Sequence, residues 1–114
     1  MRKLALLTLG FVGLAGVVLA LQQKYPNAPA EVVLENDKVV VQRLISEAGK
    51  WTGEHSHAGN QLAVVLKGGT TTFKEGGEER EQTNKAGDVV WVDAVEAHDH
   101  KEDTDGEFIL ITIK

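Results

Sequence analysis

The 114-residue chain contains no cysteine. That excludes disulfides as a source of stability and excludes a lipid anchor carried on an N-terminal cysteine. Proline occurs twice, too rarely for a disordered tract. Lys and Arg number 12 against 17 Asp and Glu, for a net charge of −5. This balance argues against nucleic acid or an anionic membrane surface as a partner, because neutralising phosphates needs clustered basic side chains. No stretch after residue 30 repeats its apolar residues at the 3.6-residue period of a helix. What remains is a small, acidic, ordinarily composed chain with 42% apolar residues, enough for one domain. Without disulfides, a closed barrel, a bound metal or a subunit interface must help hold so small a core.

The N-terminus differs in kind. "MRK" is a short positive start, and residues 4–21, "LALLTLGFVGLAGVVLAL", form an uncharged apolar run. Together with the small-residue pair Val18 and Ala20 they read as a secretory signal cut after Ala20, with a second candidate cut after Ala30 in "NAPA". The expected location is therefore periplasmic or secreted. An uncleaved membrane anchor over residues 4–21 is the alternative, because the run approaches the ~20 residues that cross a bilayer. No Arg-Arg pair is present, which points to the general secretion route. Residues 1–20 are thus the signal, 21–30 a linker ("QQKYPNAPA" is polar and proline-containing) and 31–114 the folded domain. Losing the signal leaves 94 residues and, with Arg2 and Lys3 gone, a net charge of −7.

From Glu31 onward the signals are nearly all strand. "EVVLE" and "KVVVQRLI" flank the turn pair Asn36-Asp37; "QLAVVLKG", "TTTFKE", "EEREQTN", "VVWVDA", "AHDHKED" and "EFILITIK" follow, separated largely by glycine-bearing turns. In the last of these, Phe108, Leu110 and Thr112 share one face and Ile109, Ile111 and Ile113 the other. Seven or eight short strands without an internal repeat predict one antiparallel sandwich or barrel, all-β in class. Phe73 and Phe108 are the simplest core aromatics, and the acidic stretch at 75–81 reads as a solvated hairpin.

Only four histidines are present, and two of them, His55 and His57, stand two residues apart. On a strand both rings point to one face, about 6–7 Å apart along the chain, from where they can converge on a cation. Gln61 has the same parity and joins that face if the strand continues through "AGN". A third ligand must come from a distant segment, and His98 and His100 in "EAHDH" are the candidates.

These residues also carry a resemblance. Gly49, His55, His57, Gln61 and Gly68 resemble the first motif of the cupin superfamily, a glycine, His-x-His, a glutamate and a second glycine at matching intervals. Gly87 and His98, in "GDVVWVDAVEAH", are similar to the second cupin motif. The likeness spans about residues 32–114 and is nearest the small single-domain cupins (monocupins) termed quercetin-dioxygenase-like. It implies a small antiparallel double-stranded β-helix, or jelly-roll barrel, with one divalent transition metal (Zn, Ni, Mn or Fe) held by His55, His57, Gln61 and His98. The chain departs from the pattern in three places. Asp93 and Val95 stand where the second motif has Pro and Gly, Glu102 takes the place of its final Asn, and Gln61 replaces the glutamate ligand.

The last substitution bears on mechanism. Glutamine offers a metal its carbonyl oxygen, but it is uncharged and accepts no proton at neutral pH. Three neutral histidines and an amide leave an ion's double charge uncompensated, which is expected to favour anionic ligands and a more acidic bound water. The base that the resemblance assigns to the glutamate must come from Glu54, Glu96, Asp93 or metal hydroxide. His100, Trp51 and Trp91 are expected to line the pocket. The functional expectation is dioxygenase-like chemistry on a small organic molecule, an enol or phenol. The alternative is a non-catalytic module that binds a small ligand or a metal. An isomerase or epimerase acting on a sugar is less well supported, since no basic residue near the motifs is evidently placed to hold a phosphate or carboxylate. Besides the small molecule, a second copy of the chain is the expected partner, as a homodimer formed by strand exchange or sheet packing.

Overall fold

The structure, a computed structural model, describes residues 25–114; the expected signal segment at 1–20 lies outside the described residues. Nine strands follow one another: β1 (Ala30–Glu35), β2 (Val39–Ser46), β3 (His55–His57), β4 (Gln61–Lys67), β5 (Gly69–Glu75), β6 (Glu78–Asn84), β7 (Val89–Val92), β8 (Val95–Glu102) and β9 (Gly106–Ile113). They form a five-stranded sheet in the order β1-β2-β9-β4-β7 and a four-stranded sheet in the order β3-β8-β5-β6. Every pairing is antiparallel. Two such sheets closing on each other make a jelly-roll barrel, an antiparallel all-β form within what strand and turn spacing predicts and the one that the resemblance implies.

Local chemistry sets the turns. Asn36 closes the first hairpin with its side chain, Oδ1 accepting from the backbone N–H of Lys38 at 2.8 Å and of Val39 at 3.0 Å, the usual way asparagine mimics a backbone turn. Gly76 and Gly77 both take positive φ (58° and 82°) between the paired Glu75 and Glu78. A two-residue hairpin with two positive φ angles matches the strand twist and calls for glycine.

Alternation then sorts the faces. On β2 the residues Val40, Gln42, Leu44 and Ser46 are buried, and on β9 Phe108, Leu110 and Thr112 are buried while Ile113 is exposed. The inner face is therefore the Phe108 face. The compact apolar cluster comprises Tyr25, Leu44, Ala63, Val65, Phe108 and Leu110, with Ala28, Ala30, Val90 and Val92 packed against it. Phe73 is only half-buried, with the Arg80 guanidinium 4.2 Å from its ring centroid. Tyr25, Ala28 and Ala30 belong to the stretch expected to be a linker, so that stretch contributes to the core. Among the described residues, eleven buried polar or charged side chains stand beside seven buried apolar ones. An interior so rich in polar groups is organised as a site as much as a core.

The outer face of the five-stranded sheet carries a row of Val41, Ile111, Leu62 and Trp91, aligned across four strands by the register. No helix among the described residues is long and apolar enough to cross a membrane.

Candidate metal centre

His55 and His57 alternate inward from β3, with Ser56 between them exposed. β3 pairs with β8, and the register runs from His55↔His98 to His57↔Val95. One strand therefore spans three steps of β8 where the other spans two. Such a bulge re-aims side chains, and here it lies beside the histidines. The ligand atoms of His55, His57 and His98 lie within 4.8 Å of one another, and all three residues are buried.

The nitrogens are set up for donation to a cation. Nδ1 of His55 lies 2.6 Å from the carbonyl oxygen of Gly53 and donates to it, and Nε2 of the same ring is buried with no hydrogen-bond partner. A backbone carbonyl on one ring nitrogen fixes the tautomer and presents the other nitrogen's lone pair. Nε2 of His57 and Nε2 of His98 face each other at 2.5 Å, so at most one of the two carries a proton. Burial, then the neighbouring imidazole of His98 and the other two rings, pushes the His57 pKa down to about 3. Burial, with His55 and His100 adding to it, lowers that of His98 to about 4. His55 is lowered in the same way, burial outweighing the carbonyl of Gly53. The three rings are thus neutral at pH 7, the form that binds metals. An orphaned Nε2 and two converging rings fit a divalent first-row ion.

Gln61 lines the same cavity as His57 and His98 but comes to it by another route than expected. β3 ends at His57 and the chain crosses to the opposite sheet, where Gln61 opens β4. Its Nε2 donates to Oγ1 of Thr112 at 3.0 Å, which orients the amide and leaves the carbonyl oxygen as its accepting atom. The Tyr25 side chain lies beside that of Gln61 in the lining of the interior cavity. Its ring lies 4.3 Å from that of His55 between centroids. Burial raises the phenol above its ordinary pKa, against the polar Gln61 side chain and with the help of the Glu102 charge. Tyr25 gave no signal in the sequence, since it stands alone in a polar segment without periodicity. The close approach of Pro26 to Gly53 holds it in place. A Cβ on Gly53, whose φ is +101°, would lie 2.7 Å from the Pro26 ring. The N–H of Asn27 also donates to the Thr52 carbonyl at 2.8 Å. Asp99 Oδ1 secures the other side of this turn, accepting from the Gly53 N–H at 3.0 Å and from that of His100 at 2.8 Å.

A cavity of about 60 Å3 opens inside the barrel beside the histidines. His57, Gln61 and His98 line it together with His100 and Glu102, and Leu44, Val65 and Phe108 are among its apolar walls. His100 therefore faces the cavity, its Nδ1 3.1 Å from Oε1 of Glu102. The two tryptophans do not line it. Trp51 lies half-buried outside the cavity, with Lys101 4.8 Å and Lys74 5.8 Å from its ring centroid. Trp91 is 51% exposed, donates from Nε1 to Asp93 at 2.8 Å, and borders a separate surface groove that also touches His98. Its parity on β7 turns it outward with Leu62, its partner in the register. The proposed bases Glu54, Glu96 and Asp93 are all exposed. The carboxylate inside is Glu102, 3% exposed, and with it present the cavity is less biased toward anions than the histidines and Gln61 alone imply.

A barrel of two antiparallel sheets with a three-histidine cluster within it defines a class before any comparison is made. Residues 43–114 match the family model described as a cupin domain, and the chain belongs to that family. Among solved structures, a cupin domain protein of Bordetella pertussis Tohama I is 25% identical with a TM-score of 0.69, over 80% of this chain and 97% of that one. An RmlC-like cupin protein of Desulfovibrio desulfuricans is similar in fold at 22% identity and TM-score 0.61, over 76% of this chain and 82% of that one. A cupin-like protein of Thermotoga maritima MSB8 is 28% identical with a TM-score of 0.56, over 75% and 65% respectively. No curated protein matches the chain.

Proposed function

We propose that the chain is an exported cupin that holds one divalent transition metal, Zn, Ni, Mn or Fe, on His55, His57 and His98, with the Gln61 carbonyl beside them. The observation that carries this reading is the buried Nε2 of His55, which has no partner and faces two neutral rings that converge from β3 and β8. A bound ion of this kind supplies Lewis acidity, and a redox-active one supplies access to oxygen chemistry. The residues do the rest. Gly53 fixes the tautomer of His55, Thr112 orients the Gln61 amide, and Tyr25 and the apolar walls exclude water.

The reaction proposed is dioxygenase-like oxidation of a small enol or phenol. A cavity of about 60 Å3 is well below the roughly 300–1,000 Å3 of drug-sized ligand sites. The interior therefore suits a molecule of few heavy atoms and not a flavonol. The same dimension supports the second reading, a non-catalytic module that binds a metal or a small ligand. Elemental analysis of protein purified from the periplasm tests the metal, with near one equivalent expected and less than about a tenth of an equivalent refuting it. Oxygen uptake by Fe-, Mn- or Ni-loaded protein with short diketones and small phenols separates the two readings. Uptake supports the enzyme, and silence with retained binding by calorimetry supports the module.

A further inference from the structure

Strand β8 carries more than one ligand into the barrel. His98, His100 and Glu102 alternate inward along it and are all buried. The His100 ring lies 6.1 Å from that of His98 between centroids, and its Nδ1 lies 3.1 Å from Oε1 of Glu102, one step further in. The cavity thus has a histidine end and a carboxylate end. At the histidine end Gln61 pairs with Thr112 on β9, and at the other Ser46 pairs with Gly106.

Glu102 is only half satisfied. Oε1 is taken by Nδ1 of His100, whereas Oε2 is buried and has no hydrogen-bond partner. Ser46 Oγ, also buried and without a partner, lies close by: a Cβ on Gly106 would stand 2.6 Å from Ser46 Oγ and 3.1 Å from Cγ of Glu102. Leaving a carboxylate oxygen dry and unbonded is costly, and folded proteins satisfy such groups with a ligand or an ordered water. Glu102 lines the same cavity as His57, Gln61 and His98, so a molecule lying there meets it.

We propose that Glu102 is the specificity-determining anchor of the cavity. Its Oε2 accepts a hydrogen bond from the hydroxyl or ammonium end of a small ligand whose other end reaches the histidine centre. His100 positions the carboxylate through Oε1. The cavity accordingly selects short, donor-tailed molecules and rejects carboxylate-tailed ones of equal size. This inference rests on the metal reading of the preceding subsection.

The test uses three hydroxamates that share one metal-binding head and differ in the tail: methyl, aminomethyl and carboxymethyl. Calorimetry on zinc-loaded protein is expected to show the aminomethyl compound binding roughly tenfold more tightly than the methyl one, as a charge-assisted hydrogen bond supplies. The carboxymethyl compound should bind more weakly than either. Glu102→Gln places an N–H where Oε2 stood, so the aminomethyl preference should vanish and the carboxymethyl compound should gain. Equal affinity for all three tails in the unaltered protein overturns the proposal, leaves the metal reading intact, and marks Oε2 as bound to water. Failure of zinc itself to bind defeats the metal reading and the anchor with it. Because the decisive comparison is made in the unaltered protein, it stands whether or not the variant folds.

Discussion

Zinc and protons should compete for the stability of this domain. In the metal-free protein the folded pKa of His57 is about 3 and that of His98 about 4, both below the ~6.5 of an unfolded histidine. Between pH 4 and 6.5 the unfolded chain therefore binds more protons than the native one, and stability rises with pH across that window. The contribution is complete above about pH 7 and is lost as the pH falls. Taking the sample from pH 7 to pH 5 costs about 2 kcal/mol for each of the two rings. At ~4–8 °C per kcal/mol for a domain this size, the two rings together lower the melting temperature by roughly 15–30 °C. Zinc at a hundredfold excess over its dissociation constant adds about 2.7 kcal/mol, a rise of roughly 10–20 °C at pH 7.5 that shrinks at pH 5. Circular-dichroism melts with zinc or with EDTA at both pH values measure all four quantities. Identical metal-free melting at pH 7.5 and pH 5 would refute the buried, neutral state of the rings. A zinc shift that survives His98→Ala would refute their shared ion.

Three further outcomes are expected. Tyr25→Ala, which removes a phenol packed on His55 and on the core cluster, should cost ~3–5 kcal/mol; Tyr25→Phe, which keeps the ring, should cost far less, and chemical denaturation distinguishes them. Gln61→Glu adds a charge beside the histidines and should tighten zinc binding about tenfold or more, read by chelator competition, with unchanged affinity counting against Gln61 as a neighbour of the ion. Leu62→Glu, placed in the outward apolar row, should convert a dimer to a monomer in sedimentation while leaving the fold intact; a monomeric unaltered protein removes that row as an interface.

Much of this architecture was legible in residue order, and the exceptions have physical causes. Phe108, Leu110 and Thr112 announced their common face because strand periodicity is rigid, and Gly76-Gly77 announced a hairpin because few other residues tolerate that turn. The likeness to the cupin motifs came from spacing, which survives substitution of the residues between. Parity puts Gln61 on the face of His55 and His57, yet the residue enters the cavity lining from the opposite sheet, because a short strand and a crossover imitate one continuous strand in sequence. Glu102 shares its parity with His98 and His100. A carboxylate normally faces water, and composition gave no reason to turn this one inward. Tyr25 was invisible because its burial depends on Pro26 meeting Gly53, a contact between segments 27 residues apart. Trp51 and Trp91 were assigned to the pocket by chemistry alone, and the outward orientation of Trp91 follows from a register that only pairing reveals.

The bulge between β3 and β8 has a consequence for how mutations should present. Since His98, His100 and Glu102 serve the interior from alternate positions of β8, sliding that strand by a single position against its neighbours would swap them for Ala97, Asp99 and Lys101 in one movement. Damage to the pairing should therefore extinguish ligand capture in an all-or-none fashion, so that titrating a preparation counts its correctly aligned molecules.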